Sequence, residues 1–318
     1  MDDGLWLRCL VGIELSCRGA SWWLATARYN LVMFQLGYRR VLWLFLLPYG
    51  IGMTILITIP ALSTAVLAFT EYDALSPPTW VGGRNFGLMF TSPVVRQALF
   101  NSLFFVGAAV PLRLIGGLLL ALLLNRPRGL VGVARTAVFI PTLIPAPAYA
   151  LIGLWFFNPV YGPLNLFLGA AGLPQPAWLT DPWSARWMMV FLAFFQLGEG
   201  FILFFVALQT IPRAYYDLAR LQGASWWQMF WYITLPFLRP WLLLFVVRDL
   251  LLSLQNSFVP SYMITYGGPY YATTFVPLLV YEIAFDLFDL GLAAAVLLLL
   301  FAVVGLLIWN VWQIWGRE

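Results

Sequence analysis

The chain contains no histidine and no lysine, and only 9% of its 318 residues are charged. Without histidine, the commonest general base and metal ligand is missing, which excludes His-dependent catalytic triads and zinc-protease sites. Without lysine, the phosphate-binding loop G-x-x-x-x-G-K-[ST] is absent, so no nucleotide site of that kind is expected. Only two cysteines occur, Cys9 and Cys17, with no histidine or further cysteine near them. They read as inert thiols rather than as a disulfide or metal site. The 17 basic residues are all arginines, scattered at the ends of apolar runs. A basic stripe interleaved with aromatics, as nucleic-acid binding requires, is not there.

What the chain has in abundance is apolar surface, since 62% of its residues are hydrophobic. That composition belongs to an integral membrane protein and not to a soluble domain. Six stretches are long enough to cross about 30 Å of hydrocarbon as helices. They lie near 42–69, 99–124, 133–157, 187–210, 237–259 and 289–313. Pro48 and Pro60 in the first, and Pro141, Pro145 and Pro147 in the third, predict kinks or local unwinding. The fold class is therefore all-α with six transmembrane helices, divided into an N-terminal cytoplasmic or interfacial tail over 1–40 and a membrane domain over 41–318.

Orientation follows from the arginines. With the N-terminus inside, the inner side holds Arg39, Arg40, Arg126, Arg128, Arg135, Arg213, Arg220, Arg239 and Arg317, whereas the outer loops hold Arg84, Arg96 and Arg186. This is the positive-inside pattern, with both termini cytoplasmic. The tail carries Trp6, Trp22 and Trp23 but is too interrupted to span. It reads as an interfacial segment or as an overlong start, with Met33 as the alternative initiator. On the outer side, residues 275–288 form a candidate short helix with Glu282 and Asp286 on one face.

Between the fourth and fifth spans lies a segment richer in structure than a turn requires. Pro212 suits a first helical turn, and Gly223 supplies the left-handed position that closes a helix. Ser225 followed three residues later by Gln228 forms a capping box that starts a second helix. The reading is helix, glycine break, helix, over about 212–236, on the cytoplasmic side. Either it is presented to a partner, or Tyr215, Leu218, Trp226 and Trp227 dip into lipid as an amphipathic connector.

Asp217-Leu218-Ala219, then Gly223-Ala224-Ser225, then Ile233-Thr234-Leu235-Pro236 resemble the EAA loop of ATP-binding-cassette importer permeases. Asp217 stands where the family has Glu, and Leu218 replaces its first Ala. The resemblance extends along the chain to the larger permease of maltose-type importers: Leu47-Pro48, Gly116-Gly117 through Asn125, Phe157-Asn158-Pro159, Gly162-Pro163-Leu164-Asn165, Ala177-Trp178-Leu179 and Gly267-Gly268-Pro269 recur in order. It implies a type I importer permease in a bacterial or archaeal inner membrane, a transport subunit and not an enzyme. No cofactor or metal is then expected on this chain, because ATP is bound by a partner. The implied partners are an ATPase dimer, a second homologous permease and an extracytoplasmic solute-binding protein. Coupling to the ATPase falls on Tyr215, Asp217, Leu218, Ala219, Gly223, Ala224 and Ser225.

The same resemblance places solute contacts on the third, fourth and fifth spans. They become Thr142 and Ala146, Gln196 with Leu197 and Gly198, and Ser253, Asn256 and Ser257, and Glu199 stands next to them as a further candidate. The implied solute is a carbohydrate: an oligosaccharide, monosaccharide or polyol. Ser253, Asn256 and Ser257 serve equally as interhelical hydrogen-bonding groups. Glu199 reads as a ligand for sugar hydroxyls or for a cationic ligand, or as the structural partner of Arg113 or Arg248, all at membrane depth. Rival functions are import of glycerol phosphate or an amino acid, an ion-driven secondary carrier, and a membrane-embedded transferase.

Overall fold

The computed structural model describes residues 40–125, 129 and 131–315. The predicted tail with Cys9, Cys17 and Met33, and the orienting residues Arg39, Arg126, Arg128 and Arg317, lie outside the described residues. The described chain falls into two units, one ending at Ser63 and the other beginning at Thr64.

Helix α1, Arg40–Leu67, is a single apolar stretch of 28 residues. The prolines predicted to unwind it leave it helical. Before Pro60 the turn Thr54–Thr58 widens to π geometry, with the Ile59 N–H bonded to the Thr54 carbonyl.

In the second unit, β1 (Thr70–Glu71) and β2 (Thr79–Trp80) make a short antiparallel pair, followed by α2 (Arg84–Thr91). Helix α3 (Pro93–Leu124) is the long central element. Its start is written in Ser92-Pro93: the Ser92 hydroxyl accepts the Val95 N–H, and proline fills the first helical position. The third span is two helices, α4 (Val131–Leu143) and α5 (Ala146–Phe156), meeting at 103°. Pro145 sits at the break in extended conformation, so the predicted unwinding falls there, while Pro141 stays inside α4.

After α6 (Pro163–Ala170), the fourth span is α7 (Pro182–Phe194) and α8 (Gly198–Gln209), bent by 44°. Helix α9 (Arg213–Leu221) leads into the 40-residue α10 (Trp226–Thr265). Then α11 (Val276–Tyr281), extended by a π turn to Asp286, precedes α12 (Leu290–Trp315). A short helix is thus present within the 275–288 predicted, and four unbroken and two bent helical stretches match the six spans expected.

Helix α3 packs on α7, α8 and α10, and two buried clusters run along it. Phe105, Val106 and Val110 meet Met188, Met189 and Leu192 at one end, and Leu118 and Ala121 meet Phe201, Phe204, Leu238 and Leu242 at the other. In lipid this association rests on close packing more than on removal of apolar area from water. At the end remote from α9, Asn101, fully buried, donates to the Tyr271 and Thr274 carbonyls at 2.6 and 3.0 Å. It also accepts from Arg186 Nε at 3.0 Å, so one side chain ties α3, α7 and the loop before α11 together.

Candidate functional site

The helix break between α9 and α10 closes as a Schellman motif. The Ala224 N–H reaches the Ala219 carbonyl at 2.9 Å and the Gly223 N–H reaches the Arg220 carbonyl at 3.0 Å. This closure needs Gly223 at φ +78°, a conformation that costs an L side chain energy. Two residues on, the capping box is complete: Ser225 N–H donates to Gln228 Oε1 at 2.7 Å, and Gln228 N–H to Ser225 Oγ at 3.4 Å. Pro212 lies one residue earlier than predicted, at the cap rather than within the first turn of α9.

Among the described residues, one face of α9 packs on the rest of the chain. Tyr216 turns inward, its hydroxyl 2.9 Å from that of Thr234, and Tyr215 packs its ring 5.2 Å from Phe237. Leu218 and Leu221 point outward, Leu221 being 86% exposed, and Asp217 pairs at 3.3 Å with Arg220 on the same outer surface. Ala219 and Ala224 are half-buried beneath the closure, and Trp226 and Trp227 are exposed. The seven predicted coupling residues therefore form one continuous element, four of them (Ala219, Gly223, Ala224 and Ser225) holding its shape.

The second site is a cavity of about 190 Å³ between the third, fourth and fifth spans and α3. Thr142, Gln196, Glu199 and Asn256 line it, together with Ala146 and Leu197. A smaller recess of about 30 Å³ shares Gln196 and Asn256 and adds Ser253 and Ser257. Gly198 lines neither. It is the crossing point of α8 on α4, where an added Cβ would stand 2.8 Å from the Val138 carbonyl oxygen and 3.0 Å from Phe139 Cα.

The serines on α10 are already engaged. Ser257 donates to the Leu254 carbonyl at 2.7 Å, and Ser253 donates to the Asp249 carbonyl while accepting from Arg113. Arg113 and Asp249 form a buried ion pair at 3.1 Å, with side-chain exposures of 9% and 6%. The approach lacks hydrogen-bond geometry, and Arg113 Nε and Asp249 Oδ2 have no hydrogen-bond partner among the described residues. Glu199 pairs with Arg248, not Arg113, and this bridge is open, with side-chain exposures of 53% for Glu199 and 42% for Arg248.

Four aromatic lining residues are not singled out by the sequence, Phe105 and Phe275 at the smaller recess and the two that follow. Tyr149 borders both spaces, donating to the Leu192 carbonyl at 2.8 Å, and Phe245 borders the larger. A tyrosine flanked by alanines in an apolar span was the available signal for Tyr149; Phe245, one aromatic among many, carried none.

Residues 113–313 match the family described as binding-protein-dependent transport system inner membrane component. Over 270 residues the chain is 33% identical to the probable ABC transporter permease protein YesP of Bacillus subtilis (strain 168), covering 83% of this chain and 86% of that one. It is 30% identical to the sulfoquinovosyl glycerol transport system permease protein SmoG of Agrobacterium fabrum, covering 84% and 88%. Among solved structures, a chain of a bacterial ABC transporter involved in the import of the acidic polysaccharide alginate has a TM-score of 0.78. It covers 90% of this chain and 98% of its own at 24% identity, a likeness of fold.

Proposed function

This chain belongs to the family of binding-protein-dependent transport system inner membrane components, and from that membership we propose that it forms half of the pathway by which a carbohydrate enters the cell. It is a multi-pass transport subunit. The power source is assigned to a separate ATPase dimer, the other half of the pathway to a second homologous permease, and delivery to an extracytoplasmic binding protein.

The observation that carries this reading is the outward face of the loop. A segment closed by a Schellman motif and restarted by a capping box is rigid, yet it leaves Leu218, Leu221 and Trp227 exposed. Such a surface suits docking in a cleft on another chain. With the termini and this loop on the cytoplasmic side, as the arginine distribution favours, closure of the ATPase dimer on ATP would move α9 and, through Tyr216 and Thr234, the start of α10. ATP does so by binding the outward-open arrangement more tightly than the inward-open one.

A carbohydrate suits the cavity because Thr142, Gln196 and Asn256 offer neutral donors and acceptors beside the rings of Tyr149 and Phe245. The name of the relative SmoG gives a sugar glycoside, sulfoquinovosyl glycerol, as its solute, which supports the carbohydrate class and not a charge on the solute. A phosphorylated solute would need an unpaired arginine, and Arg113 and Arg248 each face a carboxylate. The test is purification of the chain with its ATPase partner, followed by ATPase measurement with and without the solute-loaded binding protein. Stimulation by the loaded protein is expected; failure to associate with any ATPase would refute the reading.

A further inference from the structure

Resting on the assignment of this cavity as the solute site, we propose that Glu199 and Arg248 form a zwitterionic clamp that admits uncharged polyhydroxylated solutes and turns away anionic ones. Four ionisable residues line the cavity, two arginines and two acids, and each cation meets an acid on another helix. The lining that this chain contributes, among the described residues, therefore carries no unbalanced charge.

The two pairs differ in availability. Arg113 and Asp249 border the cavity but are largely buried and held by each other, and Arg113 is further committed to Ser253. Glu199 and Arg248 are about half exposed. Their contact runs between one guanidinium nitrogen and Glu199 Oε2, leaving the second carboxylate oxygen and further N–H groups to a ligand. Glu199 also occupies the first turn of α8, where the helix N-terminus favours a negative charge.

A hydroxyl group both donates and accepts. Neighbouring hydroxyls of a sugar or polyol can donate to Glu199 and accept from Arg248 at the same time, leaving the ion pair intact. A uronate or sulfonate lacks that option: to gain Arg248 it must displace Glu199, and if it does not, it lies against a carboxylate of like charge. The rest of the lining adds no unpaired cation to compensate, since Arg113 is held by Asp249 and Thr142, Gln196 and Asn256 are neutral. Charge exclusion thus resides in Glu199, with Arg248 as its counterweight.

The test uses the complete transporter, with its partner subunits, in lipid nanodiscs. Binding of neutral trisaccharides (maltotriose, cellotriose, mannotriose) is compared with that of trigalacturonate and trimannuronate by calorimetry. In the wild type, at least one neutral probe is expected to bind at least tenfold more tightly than either uronate. Glu199→Gln, which frees Arg248, is expected to improve uronate binding about tenfold relative to the neutral probe. Pairing Glu199→Gln with Arg248→Gln, neutral again, should bring the ratio back toward wild type. Uronates binding as tightly as the neutral probes, or a ratio unmoved by Glu199→Gln, would overturn the clamp while leaving the carbohydrate assignment standing. Binding of no probe of either kind would instead overturn the assignment of the cavity to a saccharide.

Discussion

The hydroxyl of Tyr216 lies 2.9 Å from that of Thr234, joining the inward face of α9 to the first buried turn of α10, two residues before Pro236. Thr234 also donates to the Met229 carbonyl across a π turn, so the exposed loop and the fifth span share one polar anchor. We expect Tyr216→Phe and Thr234→Val each to cost about 1 kcal/mol in detergent unfolding, with the double variant costing little more than either. A fully additive pair would show that the hydroxyls are independent.

The buried pair Arg113–Asp249 is expected to behave differently from the open pair Glu199–Arg248. Removing one buried partner strands a charge in a poorly solvated interior, so Asp249→Leu or Arg113→Leu should destabilise by about 3–5 kcal/mol. The double replacement should recover most of that loss. Thermal unfolding of the four proteins checks this, and equal stability of singles and double would contradict it.

At the start of α7, Asp181 accepts the Ser184 N–H at 2.7 Å, and that backbone hydrogen bond holds its carboxyl below the ordinary carboxylate range. A depressed folded value means that the cap contributes fully above the unfolded carboxylate range and is lost as pH falls through the folded value. Acidification should therefore fray the α7 terminus. Asp181→Asn keeps the acceptor and should remove this part of the pH dependence, as hydrogen exchange at Ser184 would register.

Much of this was legible because membrane crossing and helix capping are local in sequence. Six apolar windows located the spans, and Gly223, Ser225 and Gln228 specified a break and a restart that the coordinates reproduce. Other features depend on tertiary placement. Pro145 announced a break in the third span, but the 103° angle is set by what α4 and α5 pack against. Nothing in sequence chooses between Arg113 and Arg248 as the partner of Glu199, since both lie far along the chain on apolar helices. Gly198 was expected at the solute and sits at a helix crossing, because a residue without a side chain marks close approach of any kind.

In the function proposed above, a rigid loop closed at Gly223 passes the work of a separate ATPase to a sugar pathway. Substituting Gly223→Asp places a side chain at φ +78° and a charge at the exposed closure of the loop. The direct measurement is ATP-driven uptake of radiolabelled sugar into proteoliposomes containing the complete transporter, run alongside sugar binding in nanodiscs. Uptake should fall at least tenfold in Gly223→Asp while sugar binding to the cavity is unchanged. Full ATP-dependent uptake by this variant would contradict the role given to the loop.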